Sequence, residues 1–152
     1  QAITELYADL IGHGVHLFNT EMIHNGEIED KQAYVENLAQ YIGDRRITLE
    51  VCLTSNMQTI PEFKELKDHS FKKMREYGLS VTICTDNRLV SSTTVTDEIM
   101  KAVETFDISS KELKNLVAYG FKRSFYPGTY LEKRNYVRQV LDAFEAVEKQ
   151  FT

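Results

Sequence analysis

Three apolar runs in this sequence each lead to polar residues that can do chemistry. The runs are residues 10–18 (LIGHGVHLF), 47–54 (ITLEVCLT) and 80–85 (SVTICT). His13 lies inside the first run between two glycines that leave space around its imidazole, and Asp86 follows the third run with no basic residue inside that run to pair with it. An imidazole and a carboxylate are side chains that proteins use to move protons and to bind metal ions.

Helical segments of about a dozen residues separate the three runs, and this pattern is typical of βα units with a parallel sheet. The predicted helices cover residues 29–42, a segment capped by Asp68 and closed by Gly78, residues 95–105, a segment that starts at Ser109 with a capping box, and about 130–150. The fold class that follows from this order is α/β.

The carboxyl ends of parallel strands lie at one edge of a sheet, and functional groups collect there. That edge would hold His13, the segment 54–56 (TSN), Asp86 and Asn87. Each apolar run ends in polar residues, so we expect these side chains to lie close together.

Composition excludes several classes of partner. The net charge of −5 and the scattered lysines and arginines argue against a nucleic-acid-binding surface. No apolar run is long enough to span a membrane, so we expect no membrane partner. Cys52 and Cys84 lie in strand-like runs, where lone thiols are typically buried and free, and this favours a reducing, cytoplasmic location.

The motifs LIGHGV (10–15), LEVCLTSN (49–56) and CTDNRLVSSTTVTDE (84–98) resemble, in order and spacing, the adenosine deaminase family of metal-dependent purine deaminases. The resemblance covers essentially the whole chain, 1–152, taken as a single segment. It implies a TIM (β/α)8 barrel, of which this chain supplies the last three βα units and the closing helices. Such a barrel typically needs about 250 residues, so we expect the amino-terminal half of the barrel, or self-association, to cover the open sheet edges.

The resemblance implies zinc as the cofactor and a role for three residues. Asp86 matches the aspartate of the family's TDD or TDN motif and would bind the metal. His13 would be catalytic, beside the hydroxide, either polarising it or shuttling its proton. Asn87 would bind the substrate at purine N7, which only accepts hydrogen bonds, and an amide donates to it at any pH. The family's His-x-His pair and HAGE-type glutamate have no match in this chain.

The function implied is that a zinc-activated water replaces the 6-amino group of adenosine, a purine nucleoside, to give inosine and ammonia. Without the two missing motifs, the isolated chain is expected to be inactive. Two alternatives stay open: adenine or another 6-aminopurine is the substrate, or the chain is a non-catalytic folded or interacting fragment. Simpler roles also exist for single residues, since Asp86 could cap a helix, Asn56 could brace a loop and His69 could be a packing residue.

Overall fold

The computed structural model of the chain describes residues 3–151, which form one three-stranded parallel sheet. The strands are β1 (Leu10–Gly12), β2 (Thr48–Val51) and β3 (Ser80–Ile83), in the spatial order β1-β2-β3. Gly12 pairs with Glu50, and Glu50 pairs with Thr82. The three carboxyl ends therefore meet at one edge of the sheet, as the parallel pattern predicted.

Seven α-helices lie within residues 3–151. They are α1 (Lys31–Asp44), α2 (Leu53–Thr59), α3 (Phe71–Glu76), α4 (Arg88–Ser91), α5 (Val95–Phe106), α6 (Ser110–Arg123) and α7 (Tyr130–Glu148). The five predicted helices are present with shifted ends, and α2 and α4 are additional short helices directly after β2 and β3.

All three strands are shorter than the predicted runs, and β3 ends at Ile83 where the run had continued to Thr85. β1 ends at Gly12 because His13 takes a φ of 59°, which interrupts the extended backbone. β2 ends at Val51, and the chain turns into α2 at Leu53, where the sequence pattern had continued the strand to Thr54. The first two runs stay apolar beyond their strands because the segments that follow pack in the core, through Leu17 and Phe18 in the first run and Leu53 in the second. Hydrophobicity alone therefore overestimated the strand lengths.

Side-chain caps set the helix boundaries. Ser109 and Glu112 form the predicted capping box at the start of α6. The prediction for Asp68 was wrong: its carboxylate accepts from the N–H of Glu65 within a short 3₁₀ turn, and α3 begins only after Ser70. Gly78 does close α3, with a φ of 64° that suits glycine.

A buried apolar layer holds the sheet. Leu49 and Val81 lie in register on one sheet face and are buried, at 1% and 2% exposure. Phe71 packs edge-on against Phe106 at a ring separation of 5.0 Å. Burying each such side chain stabilises the fold by about 1.5 to 3 kcal/mol. This layer fixes the strands, and therefore the strand ends that carry the polar residues.

Helix α6 packs along β3, and all four residues of that strand are buried. The approach is close at Gly120, where an added Cβ would lie 2.6 Å from Oγ1 of Thr82. Helix α6 therefore covers β3 with another part of the same chain. None of the helices within residues 3–151 combines the length and the apolar character that crossing a bilayer requires.

Candidate active site

His13 leaves the end of β1 on a tight turn. The N–H of Gly14 donates to the carbonyl of Gly12 at 2.7 Å, and the N–H of His13 donates to the carbonyl of Glu50 at 2.8 Å. A positive φ at a residue other than glycine costs on the order of 1 to 3 kcal/mol, so the surrounding contacts must hold it. The turn keeps the imidazole at the carboxyl edge of the sheet.

The two glycines beside His13 differ in what they do. Gly14 has a φ of 60°, and an added Cβ there would lie 3.1 Å from Cδ2 of Leu49. Among the described residues, no atom lies within 4 Å of an added Cβ at Gly12. Open space beside the imidazole, expected at both glycines, is therefore present at Gly12, whereas Gly14 serves the backbone turn and the packing.

Asp86 lies three residues beyond β3 and faces His13. Nε2 of His13 is 3.8 Å from Oδ2 of Asp86, and the hydroxyl of Ser55 donates to the same oxygen at 2.7 Å. The two side chains are 41% and 42% exposed, so both are accessible to a ligand. Like His13, Asp86 has a left-handed backbone conformation, with a φ of 55°. The structure thus brings together the residues predicted to be catalytic and metal-binding.

Asn87 caps α4, a role that the sequence had offered to Asp86. Oδ1 of Asn87 accepts from the N–H groups of Leu89 and Val90, both at 3.1 Å. Because the amide oxygen is used by the helix, the amide nitrogen is the atom of this side chain that can donate to a ligand. The cap leaves Asp86 outside the helix, with its carboxylate directed to Ser55.

Helix α2 delivers Ser55 to this edge, and a buried carboxylate anchors the start of that helix. Oε2 of Glu98 accepts from the N–H of Thr54 at 3.0 Å, and Oε1 accepts from the hydroxyls of Thr54 and Thr93. Glu98 is 0% exposed. A helix amino terminus has free N–H groups and a partial positive charge, so a carboxylate there is stabilising.

Asn56, the next residue of α2, joins two histidines. Its amide nitrogen is 3.0 Å from Nδ1 of His13, and its amide oxygen is 3.1 Å from Nε2 of His69. His69 is fully buried, at 1% exposure, and burial lowers the pKa of its imidazole to about 4. The expectation that Asn56 braces a loop missed this contact with the candidate site, although its position at the carboxyl edge was a signal.

A cleft of about 620 Å³ lies over these residues. Its polar floor includes His13, Ser55, Asn56 and Asp86, and apolar side chains such as Leu17 form the wall. A cleft with an apolar wall and a few convergent polar groups is the usual form of a small-molecule site.

The described residues fit one part of a zinc centre. The partly exposed carboxylate of Asp86, oriented by Ser55, suits a single oxygen ligand. Within residues 3–151 no group of three or more His, Cys, Asp or Glu side chains could hold a metal ion. A catalytic zinc site has about three protein ligands, so the other ligands would have to come from outside residues 3–151.

The fold is similar to solved structures of deaminases and amidohydrolases. An adenine deaminase from Arthrobacter aurescens matches with a TM-score of 0.71 at 22% identity, over 95% of this chain and 38% of that chain. An amidohydrolase from Burkholderia ambifaria, solved with bound zinc, matches with a TM-score of 0.68 at 18% identity, over 96% of this chain and 37% of that chain. These likenesses confirm the predicted fold class, α/β and part of a TIM barrel.

Sequence matches identify the family. The model of the family described as adenosine deaminase matches residues 1–145. The adenosine deaminase of Clostridium acetobutylicum is 34% identical over 125 residues, and that of Mycobacteroides abscessus is 35% identical over 127 residues. These alignments cover 82% and 84% of this chain but 33% and 34% of the relatives, so the chain spans about a third of their length. This chain therefore belongs to the adenosine deaminase family.

Proposed function

We propose that this chain supplies part of the active site of a zinc-dependent adenosine deaminase, which converts adenosine and water into inosine and ammonia. The observation that carries the proposal is the convergence of His13 and Asp86, 3.8 Å apart, in a cleft at the carboxyl edge of the sheet. His13 follows β1 and Asp86 follows β3, the two outer strands of the sheet. Each side chain is accessible to a ligand.

Asp86 is the residue of this chain that would hold the metal. The hydroxyl of Ser55 donates to its Oδ2, which keeps the carboxylate in one orientation. When zinc is bound, it lowers the pKa of a water molecule so that hydroxide is available near neutral pH. Metal binding through Asp86 would depend on ligands outside residues 3–151, because the described residues offer no complete set.

His13 would hold the attacking oxygen in place by a hydrogen bond from Nε2, the nitrogen that faces Asp86. A fixed approach to C6 of the purine replaces a random encounter, and such positioning contributes strongly to rate. The oxygen would bond to C6 while N1 of the purine takes a proton. The carbon–nitrogen bond at C6 would then break, the proton of the added hydroxyl would go to the amino group, which leaves as ammonia, and the 6-oxo group and N1–H of inosine would remain. No HAGE-type glutamate is present in this sequence to supply the proton to N1.

Asn87 would recognise the purine ring. Its amide nitrogen can donate to N7, while its amide oxygen remains bonded to the start of α4. The three residues of this chain all address the C6–N7 side of the purine, and none of these roles involves the ribose. Adenine or another 6-aminopurine therefore remains a second candidate substrate.

A test compares the 152-residue chain alone with a fusion that places, ahead of it, the segment of the Clostridium acetobutylicum relative that precedes the matched region. Inosine and hypoxanthine are quantified after incubation with adenosine or adenine and zinc. We expect no turnover by the chain alone, because the general acid and most metal ligands are missing. We expect adenosine turnover by the fusion.

The substitutions Asp86→Ala and His13→Ala test the site in that fusion. Each is expected to lower kcat/KM by at least about 100-fold. Glu104→Ala, at an exposed position on α5, is the matched control and should leave turnover unchanged. Turnover that survives both site substitutions would overturn the proposal, and a preference for adenine would replace the nucleoside by the free base. Turnover by the verified 152-residue chain alone would overturn the expected inactivity.

A further inference from the structure

We propose that Asn56 and His69 are positioning residues that hold neutral His13 in the tautomer with its proton on Nε2. The proposal rests on the proposed function, because it assigns the direction of the hydrogen bond that His13 makes in the cleft. It follows from three consecutive hydrogen bonds that begin at a backbone N–H group.

The first hydrogen bond fixes the tautomer of His69. The backbone N–H of Phe71 lies 3.0 Å from Nδ1 of His69. A backbone N–H can only donate, so Nδ1 must be the unprotonated nitrogen of this imidazole. The proton of neutral His69 is therefore on Nε2. Its position inside the core, at 1% exposure, disfavours the charged form, in which Nδ1 would also carry a proton.

The second hydrogen bond fixes the amide of Asn56. Nε2–H of His69 donates to Oδ1 of Asn56 at 3.1 Å. The oxygen and nitrogen of an asparagine amide are assigned from their hydrogen-bond partners, and a donor on one side leaves a single choice. Asn56 is 3% exposed, so the opposite orientation would bury two facing donors without a partner.

The third hydrogen bond fixes His13. With its oxygen turned to His69, Asn56 presents its amide nitrogen to Nδ1 of His13 at 3.0 Å. The amide nitrogen can only donate, so Nδ1 accepts and the proton of neutral His13 is on Nε2. Nε2 is the nitrogen that faces Oδ2 of Asp86, at 3.8 Å.

The consequence concerns what His13 does in the reaction. A neutral imidazole with its proton on Nε2 can donate to a lone pair of the attacking oxygen, but it cannot take a proton at that nitrogen. Of the two roles that the family resemblance offered, polarising the hydroxide or shuttling its proton, this geometry favours the first. We call these three hydrogen bonds, from Phe71 through His69 and Asn56 to His13, the relay. Because the relay starts in the core, Nε2 of His13 is fixed as the donor before any ligand binds.

The direct test is the tautomer itself. The protein that carries the complete chain is labelled with nitrogen-15 histidine, and its imidazole nitrogens are observed by NMR at a mildly alkaline pH, where an ordinary imidazole is neutral. We expect a protonated Nε2 and an unprotonated Nδ1 for both His13 and His69. A proton on Nδ1 of His13, or an average of the two tautomers, would overturn the proposal.

Variants reverse or restore the relay. Asn56→Asp has nearly the same shape but only acceptor atoms, so Nδ1 of His13 should gain a proton. His69→Gln can still accept from Phe71 and donate to Asn56, so it should keep the tautomer of His13, whereas His69→Leu should lose it. Retention of the Nε2 tautomer in Asn56→Asp would also contradict the relay.

Kinetics in the active fusion supply an independent readout. His69→Leu and Asn56→Asp should lower kcat by about 10- to 100-fold with little change in KM, and His69→Gln should recover most of kcat. The tautomer measurement and the activity measurement test the two proposals independently. Absence of deamination with the expected tautomer would overturn the proposed function alone, and deamination with a proton on Nδ1 of His13 would overturn the relay alone.

Discussion

The side-chain amide nitrogen of Asn56 on α2 lies 3.0 Å from Nδ1 of His13, at the end of β1, although 43 positions separate the two residues in the sequence. The contact exists because β1 and β2 are parallel neighbours and α2 begins directly after β2. It ties the candidate active site to the buried core through His69. Substitutions in the core are therefore expected to be measurable at the site.

The pH dependence of stability is expected to report the burial of His69. Its pKa is lowered from 6.5 to about 4 in the folded chain, mainly by burial. Between these values the unfolded chain binds a proton that the folded chain does not, so the free energy of unfolding falls as the pH drops from about 6.5 to about 4. The loss attributable to this group is about 3 kcal/mol.

Urea denaturation across that pH window, compared between the unmodified protein and His69→Gln, isolates this contribution. The difference between the two proteins should decrease toward acid pH, because glutamine does not titrate. Carboxylates that titrate in the same window cancel in the comparison. A constant difference would contradict a lowered pKa for His69.

Glu98→Gln is expected to destabilise the fold by about 1 to 3 kcal/mol. The carboxylate accepts from the N–H and hydroxyl of Thr54 and from the hydroxyl of Thr93. An amide can keep the acceptor for the N–H of Thr54, but it removes the charged acceptor of the hydroxyls of Thr54 and Thr93 inside the core. The free energy of unfolding from urea denaturation measures the effect, with the exposed Glu104→Gln on α5 as the control. Equal stability of both variants would mean that the buried carboxylate does not anchor α2.

Ser55→Ala is expected to weaken zinc binding by about 10- to 100-fold in the zinc-loaded protein that carries this chain. The hydroxyl donates to Oδ2 of Asp86 at 2.7 Å and so orients the carboxylate. Competition with a chelator gives the dissociation constant. Ser70→Ala is the matched control, because its buried hydroxyl has no hydrogen-bond partner among the described residues. If both variants bind zinc as tightly as the unmodified protein, Ser55 does not support a metal ligand.

Gly120→Ala is expected to destabilise the chain even though alanine favours helices by about 1 kcal/mol over glycine. The new Cβ would lie 2.6 Å from Oγ1 of Thr82 but 3.5 Å from its Cβ. In a Thr82→Ala background the clash is removed, so the same substitution should become stabilising. A double-mutant cycle by thermal unfolding measures this change of sign. Destabilisation in both backgrounds would show that the contact with Thr82 is not the cause, and stabilisation in both would show that this contact relaxes easily.

Much of the local structure could be predicted from the sequence. The capping box of Ser109 with Glu112 and the closing glycine Gly78 are found as expected, because both depend on a few neighbouring residues. Strand lengths could not be predicted, since the left-handed turn at His13 interrupts a run that remains apolar. Asp68 was predicted to cap α3, but its carboxylate accepts from the N–H of Glu65. Glu65 and the start of α3 are both only a few residues from Asp68, so the local sequence did not distinguish the two partners.

By itself the sequence determined the α/β class, the parallel order and the motifs that contain His13, Asp86 and Asn87, because apolar periodicity and motif spacing are properties of the chain. Only the tertiary structure decided which residues support them. Ser55 meets Asp86 across 31 positions, and Thr54 meets Glu98 across 44. Such contacts form only when parallel strands align and bring their carboxyl ends to one edge, so no local pattern records them.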